Sequence, residues 1–162
     1  MPSFSANLSL LFTEIPLLDR FKAARECGFK GVEIQFPYDV PAEKIKAQID
    51  INGLELILIN VPAGDLMIGG EGLAAVPSKK QEFLDAFEIA VKYAKILRPK
   101  CINVLPGCCF DMNKLDQFFE TFKNNINHTA DFFQSLKIKV VFEAANIKDM
   151  PGFIIHKNEQ LL

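Results

Sequence analysis

The chain has 162 residues, 49% of them hydrophobic, with 15 Phe, no Trp and a formal charge of −2. That composition suits one packed domain and excludes a disordered segment, and the near-neutral charge gives no basic field to recruit nucleic acid or an acidic membrane surface. No run of about 18 apolar residues is present, so no helix is expected to span a bilayer.

Short apolar runs alternate with longer helical periods. Ser3–Asn7 reads as a strand, and Ile15–Cys27 follows with Leu18, Phe21 and Ala24 on one helical face. Gly28 sits where a C-terminal cap belongs. Gly31–Phe36 is the second strand. Pro41 opens the second helix, where no N–H donor is needed, Ile45 and Ile49 form its inner face, and Gly53 ends it. Leu54–Asn60 is a nearly continuous apolar strand, as expected when both faces are buried. A long Gly-rich loop, Val61–Val76, follows. Ser78 and Gln81 have capping-box spacing. Phe83, Phe87, Ala90, Ala94 and Leu97 make the stripe of a third helix that Pro99 stops. Lys100–Leu105 is the fourth strand, and Asn113–Leu136 the fourth helix, with Leu115, Phe118, Phe122, Ile126 and Phe133 inward. Lys137–Glu143 is the fifth strand, and His156–Leu162 begins a fifth helix.

Strand and helix alternate five times without hairpin turns, which predicts a parallel α/β sheet in one domain, residues 1–162. Periodicity does not distinguish a barrel from an open doubly wound sheet. No Lys or Arg precedes Arg20, and the apolar stretch Leu8–Phe12 is broken by Ser9, which argues against a secretory leader. Cys27, Cys101, Cys108 and Cys109 lack C-x-x-C spacing, so reduced thiols in a cytoplasmic protein are expected.

Parallel α/β folds gather ligands at the carboxyl ends of their strands. The polar residues there are Asn7, Glu33, Gln35, Asn60, Asn103, Glu143 and Asn146. Period-two alternation puts Val141 and Glu143 on one face. If that face lines a barrel, the Glu143 carboxylate sits in a partly dry site and needs a partner or a metal. Metal ligand or proton-transfer base is one reading; a solvent-facing strand-end Glu is the other. Glu33 reads as a barrel-lining carboxylate or a structural bridge between strands. Asn60 and Asn103 read as substrate-hydroxyl partners or as satisfied core polar groups.

The Gly-rich loop lacks both the phosphate-loop ending and the G-x-G-x-x-G spacing, so neither site is expected. Its length suggests a lid over the strand ends, or an ordinary surface loop. His128 and His156 have no partner at ligand spacing. Cys108-Cys109 has no adjacent base to activate it.

Several stretches resemble the hydroxypyruvate isomerase family. They are Phe4-Ser5-Ala6-Asn7-Leu8-Ser9, Cys27-Gly28-Phe29-Lys30-Gly31-Val32-Glu33, Phe36-Pro37-Tyr38-Asp39, Asn60-Val61-Pro62-Ala63-Gly64-Asp65, Gly72-Leu73-Ala74-Ala75-Val76-Pro77, Glu143-Ala144-Ala145-Asn146 and Asp149-Met150-Pro151-Gly152-Phe153. They occur in the family's order along the whole chain. The resemblance implies a xylose-isomerase-like (β/α)₈ TIM barrel, of which this chain holds the N-terminal five βα units, an incomplete barrel. It implies interconversion of hydroxypyruvate and tartronate semialdehyde, or a related isomerisation of a 2-oxo-tetronate or a sugar, on a small hydroxy-oxo acid. It also implies a divalent metal (Mg²⁺ or Mn²⁺) and two glutamates that move protons through an enediolate. Glu143 matches the first of these and a metal ligand; Asn7, Glu33, Asn60, Asn103 and Asn146 are the substrate-binding candidates.

Two departures stand out. The family's Glu-Pro-Ile-Asn is Glu143-Ala144-Ala145-Asn146 here, which loosens the backbone after the ligand strand. The fold runs to about 250 residues, so strands six to eight, the other ligands and the second glutamate are expected outside this chain. Five strands leave open edges, which predicts little activity from the chain alone and a chain that aggregates, pairs with another copy or is held by a complementary fragment.

Overall fold

The computed structural model describes residues 4–161. Five strands, β1 (Ser5–Asn7), β2 (Gly31–Ile34), β3 (Glu55–Asn60), β4 (Cys101–Asn103) and β5 (Lys139–Val141), alternate with α1 (Leu17–Glu26), α2 (Ala42–Ile51), α3 (Lys80–Leu97) and α4 (Leu115–Ser135). All neighbours pair in parallel, in the order β1-β2-β3-β4-β5. A doubly wound sheet reverses its order at a switch point. Consecutive order is that of a barrel wall, which settles what periodicity left open. Among the described residues β1 and β5 do not pair, so the wall is an open arc.

The helix ends follow local chemistry. Gly28, at φ +89°, caps α1: its N–H reaches Arg25 O at 2.9 Å and the Phe29 N–H reaches Ala24 O at 3.1 Å, the Schellman arrangement. Gly53 ends α2 the same way. Lys137 does so for α4 with a positive φ of 58°. The expected fifth strand therefore starts two residues later than the apolar pattern suggests. Pro41 caps α2 as predicted.

Three other expectations are corrected. Ser78 lies in a 3₁₀ turn, Pro77–Lys79, that leads into α3 without a side-chain cap, and Gln81 instead donates to Asp85; the turn starts at a proline, which suits a first helical position. A 3₁₀ turn, Asn158–Leu161, stands where a fifth helix was expected to begin. Ser3, the expected start of the first strand, lies outside the described residues.

The two faces of the sheet differ. On the helix side Ile34, Ile59 and Ile102 stand in register and are at most 1% exposed. They pack in one core with Phe21, Phe83, Phe87 and Phe133. Each such fully buried side chain contributes about 1.5–3 kcal/mol. On the other face the register row Asn7, Glu33, Leu58, Cys101 and Lys139 is half-buried or exposed. That face is the barrel interior, open along this row and buried further on at Asn60 and Asn103.

Candidate active site

Near the carboxyl ends of the strands the interior face turns polar. Asn60 and Asn103 are register partners on β3 and β4, and Val141 of β5 completes the row. Alternation brings Glu143 up beyond Val141 on the same face. Asn103 Nδ2 donates to Asn60 Oδ1 at 3.2 Å and to Glu143 Oε1 at 3.0 Å. Both amide protons of Asn103 are thereby used. Its Oδ1 is buried and has no hydrogen-bond partner, although Asn103 is only 3% exposed. A buried unpaired acceptor costs about 1–3 kcal/mol, so this oxygen is an unfilled acceptor beside a carboxylate.

Glu143 itself is exposed. The partly dry setting expected for it is not found: it stands at the exposed end of the trio, beside the buried Asn60 and Asn103. Asn103 holds one of its oxygens, and the other is free to act.

The remaining candidates stand apart from this trio. Asn7 shares a register row with Glu33, but its Oδ1 accepts the Ser9 N–H at 2.9 Å and closes a local turn. Glu33 lies half-buried on the interior face and makes no ion pair among the described residues. Gln35 acts through its backbone: its N–H reaches Ser9 Oγ, and its carbonyl accepts the Asn60 N–H at 2.9 Å. Asn146 organises the loop after β5, donating to Asp149 Oδ2 at 2.9 Å and accepting from the Lys148 N–H at 3.0 Å. His128 packs on Phe87, with ring centroids 5.1 Å apart, and the His156 N–H bonds Gln160.

Three loops form a rim over the strand ends. Asp65 is the hub of the first: it accepts Lys79 Nζ at 2.9 Å and the Gly72 N–H at 2.8 Å. These bonds hold its carboxyl below the ordinary 3.8, the Lys79 contact contributing most. The Glu71 carbonyl accepts the Cys108 N–H at 2.9 Å, and the Gly107 carbonyl accepts the Ile154 N–H at 3.0 Å. Cys108 and Phe153 form an antiparallel bridge. The long loop is thus sewn to its neighbours by backbone bonds. Burial, reinforced by the nearby Glu71 charge, pushes the Cys108 thiol up, which disfavours the reactive thiolate. A cavity of about 420 Å³ opens between Leu66, Met67, Phe110 and Met150, but Asn60, Asn103 and Glu143 do not line it.

Among the described residues no group of three His, Cys, Asp or Glu side chains could hold a metal ion. Glu143 and Asn103 Oδ1 offer two hard oxygens, whereas Mg²⁺ wants six and Ca²⁺ six to eight. These residues alone do not fit a complete metal centre.

Sequence reasoning missed Tyr38. Its hydroxyl donates to the Asn60 carbonyl, and burial, with the Tyr93 hydroxyl adding to it, holds the phenol protonated far above its usual range. The signal was available in Pro37-Tyr38 directly after β2, but a single tyrosine in a loop has no period or spacing to mark it.

Residues 21–162 match the family described as xylose isomerase-like TIM barrel. The chain belongs to that family. Hydroxypyruvate isomerase of Escherichia coli (strain K12) is 40% identical over 162 residues, all of this chain and 63% of that protein. The 2-oxo-tetronate isomerase of Haemophilus influenzae is 34% identical over 96% of this chain and 60% of its own length. A crystal structure of an AP endonuclease, family 2, from Brucella melitensis superimposes with TM-score 0.90 at 39% identity, covering 96% of this chain and 60% of that one. The chain therefore spans about three-fifths of these xylose isomerase-like relatives, and its five strands and four helices are part of such a barrel. No helix among the described residues is long and apolar enough to cross a membrane.

Proposed function

We propose that this chain carries one half of the active site of a sugar-acid isomerase that interconverts hydroxypyruvate and tartronate semialdehyde. The observation that carries the reading is the Asn60–Asn103–Glu143 trio at the strand ends; the names of the similar isomerases support it. Glu143 takes a proton from the hydroxymethyl carbon, leaving an enediolate across that carbon and the adjacent carbonyl carbon. A proton returns to the former carbonyl carbon and the hydroxyl proton moves between the two oxygens, so no oxidant or reductant is consumed. Asn103 holds one oxygen of the carboxylate and orients it. A correctly placed carboxylate of this kind contributes about 10²–10⁴-fold.

A single carboxylate does not serve easily as acid and base on two carbons, so a second proton-moving group comes from outside these five units, and the chain alone is inactive. A divalent cation, Mg²⁺ or Mn²⁺, belongs to the same proposal: Glu143 is its one anionic ligand in this chain. The 2-oxo-tetronates are the alternative substrates. Proton NMR of hydroxypyruvate and a 2-oxo-tetronate, with and without Mn²⁺, in the presence of the chain and a fragment carrying the later βα units, tests this. Conversion of neither compound would remove the proposal.

A second reading is favoured by the open β1 and β5 edges and the half-exposed interior row: a non-catalytic half-barrel that pairs with its own copy. Sedimentation of a strict monomer at high concentration would exclude it.

A further inference from the structure

In a parallel ladder, a residue that donates its N–H to one carbonyl of the neighbouring strand sends its own carbonyl to the N–H two positions further on. The Asn60 N–H reaches Gln35 O at 2.9 Å. Gln35 lies just past the end of β2, and the residue two further on is Pro37, which has no N–H to offer the Asn60 carbonyl. A carbonyl left unpaired here, on a residue only 3% exposed, would be costly. The next residue repairs the gap: the Tyr38 hydroxyl donates to that carbonyl.

Tyr38 is itself clamped. Its carbonyl accepts the Tyr93 hydroxyl at 3.1 Å, and that hydroxyl also bonds Val40 O at 3.0 Å. The two rings meet edge to face with centroids 4.9 Å apart. An unbroken chain of contacts thus runs from α3 through the loop after β2, to the end of β3, and across β4 to Glu143.

We propose that Tyr38 is a positioning residue for Glu143: by replacing the N–H that Pro37 lacks, it fixes Asn60, and Asn60 then sets the orientation of the Asn103 amide. With the Asn60 Oδ1 acceptor held 3.2 Å away, Asn103 must turn Nδ2 toward it. The second Nδ2 proton then reaches Glu143. If Asn60 drifts, the Asn103 amide is free to flip, which would turn an acceptor toward the carboxylate. The inference rests on reading Glu143 as the reacting carboxylate, but its readout needs no turnover, so the two fail separately.

The test is NMR of the Asn103 side-chain amide in the 162-residue chain. Tyr38→Phe should shift and broaden both Asn103 amide protons. Tyr93→Phe, which loosens the clamp on Tyr38 but leaves its bond to Asn60 in place, should move them less. Pro37→Ala with Tyr38→Phe restores a backbone donor for the Asn60 carbonyl and should return the signals toward the wild-type positions. Unmoved signals in Tyr38→Phe, equal displacement in Tyr93→Phe, or no recovery in the double variant would overturn the assignment. Should Tyr38→Phe not fold, the wild-type chain decides: a slowly exchanging Tyr38 hydroxyl proton with cross-peaks to Asn60 supports it, and a rapidly exchanging one refutes it.

Discussion

Gly107→Ala should loosen the rim, and the cost can be worked from the structure. Gly107 has φ +102°, which costs an L residue about 1–3 kcal/mol. A Cβ there would stand 2.4 Å from the Glu71 carbonyl oxygen, so that carbonyl must move and release the Cys108 N–H it now accepts at 2.9 Å. Loss of that bond adds about 1 kcal/mol. The sum, about 2–4 kcal/mol, lowers Tm by about 4–16 °C for a chain of this size. Gly69→Ala is the control. Gly69 has φ +93° in the left-handed region, but a Cβ there meets nothing within 4 Å, so only the backbone cost of about 1–2 kcal/mol applies. Thermal unfolding followed by circular dichroism should show the larger drop for Gly107→Ala. Equal drops in the two variants would refute the claim that the rim loops are sewn together at this contact.

The Asp65 carboxyl is held below 3.8 by Lys79 and Gly72, so as pH falls the unfolded chain takes up this proton first; the stability it contributes is present above about pH 4 and lost as pH drops through the folded value. The side chain is 43% exposed, so the pair contributes at most about 1 kcal/mol; Asp65→Asn should flatten the fall in urea midpoint between neutral and acid pH, and an unchanged slope would contradict the hub role. Thiol labelling of the native chain should modify exposed Cys27 first, with buried Cys108 and Cys109 at least about tenfold slower because they need local opening; equal rates would show that the rim does not shield them.

Much of the architecture was legible in the sequence because it rests on local rules. The Phe83–Leu97 stripe repeats within one helix, the Gly28 and Gly53 caps and Pro41 each act within one turn, and all behave as read. The site was half legible. Strand ends pointed to Asn60, Asn103 and Glu143, and the structure joins these three, while Asn7 and Asn146 serve their own turns. Register decides which strand-end residues meet, and register is set by pairing across more than 30 residues of chain, which no local pattern encodes. Lys137 defeated the pattern because a lysine in the left-handed region is indistinguishable, in sequence, from the first residue of a strand. The backbone bonds of the rim and the Tyr38–Asn60 bond were not marked for a related reason: each is accepted by a main-chain carbonyl, which carries no residue identity.

The most direct test of the account is hydroxypyruvate isomerisation by the chain mixed with a fragment carrying the later βα units of the Escherichia coli relative, with Mn²⁺ present, beside Glu143→Gln. The account predicts no turnover by the chain alone, turnover by the mixture, and a loss of about 10²-fold or more in Glu143→Gln. Wild-type turnover in the Glu143→Gln mixture would contradict it, because the proton would then be moving through another group.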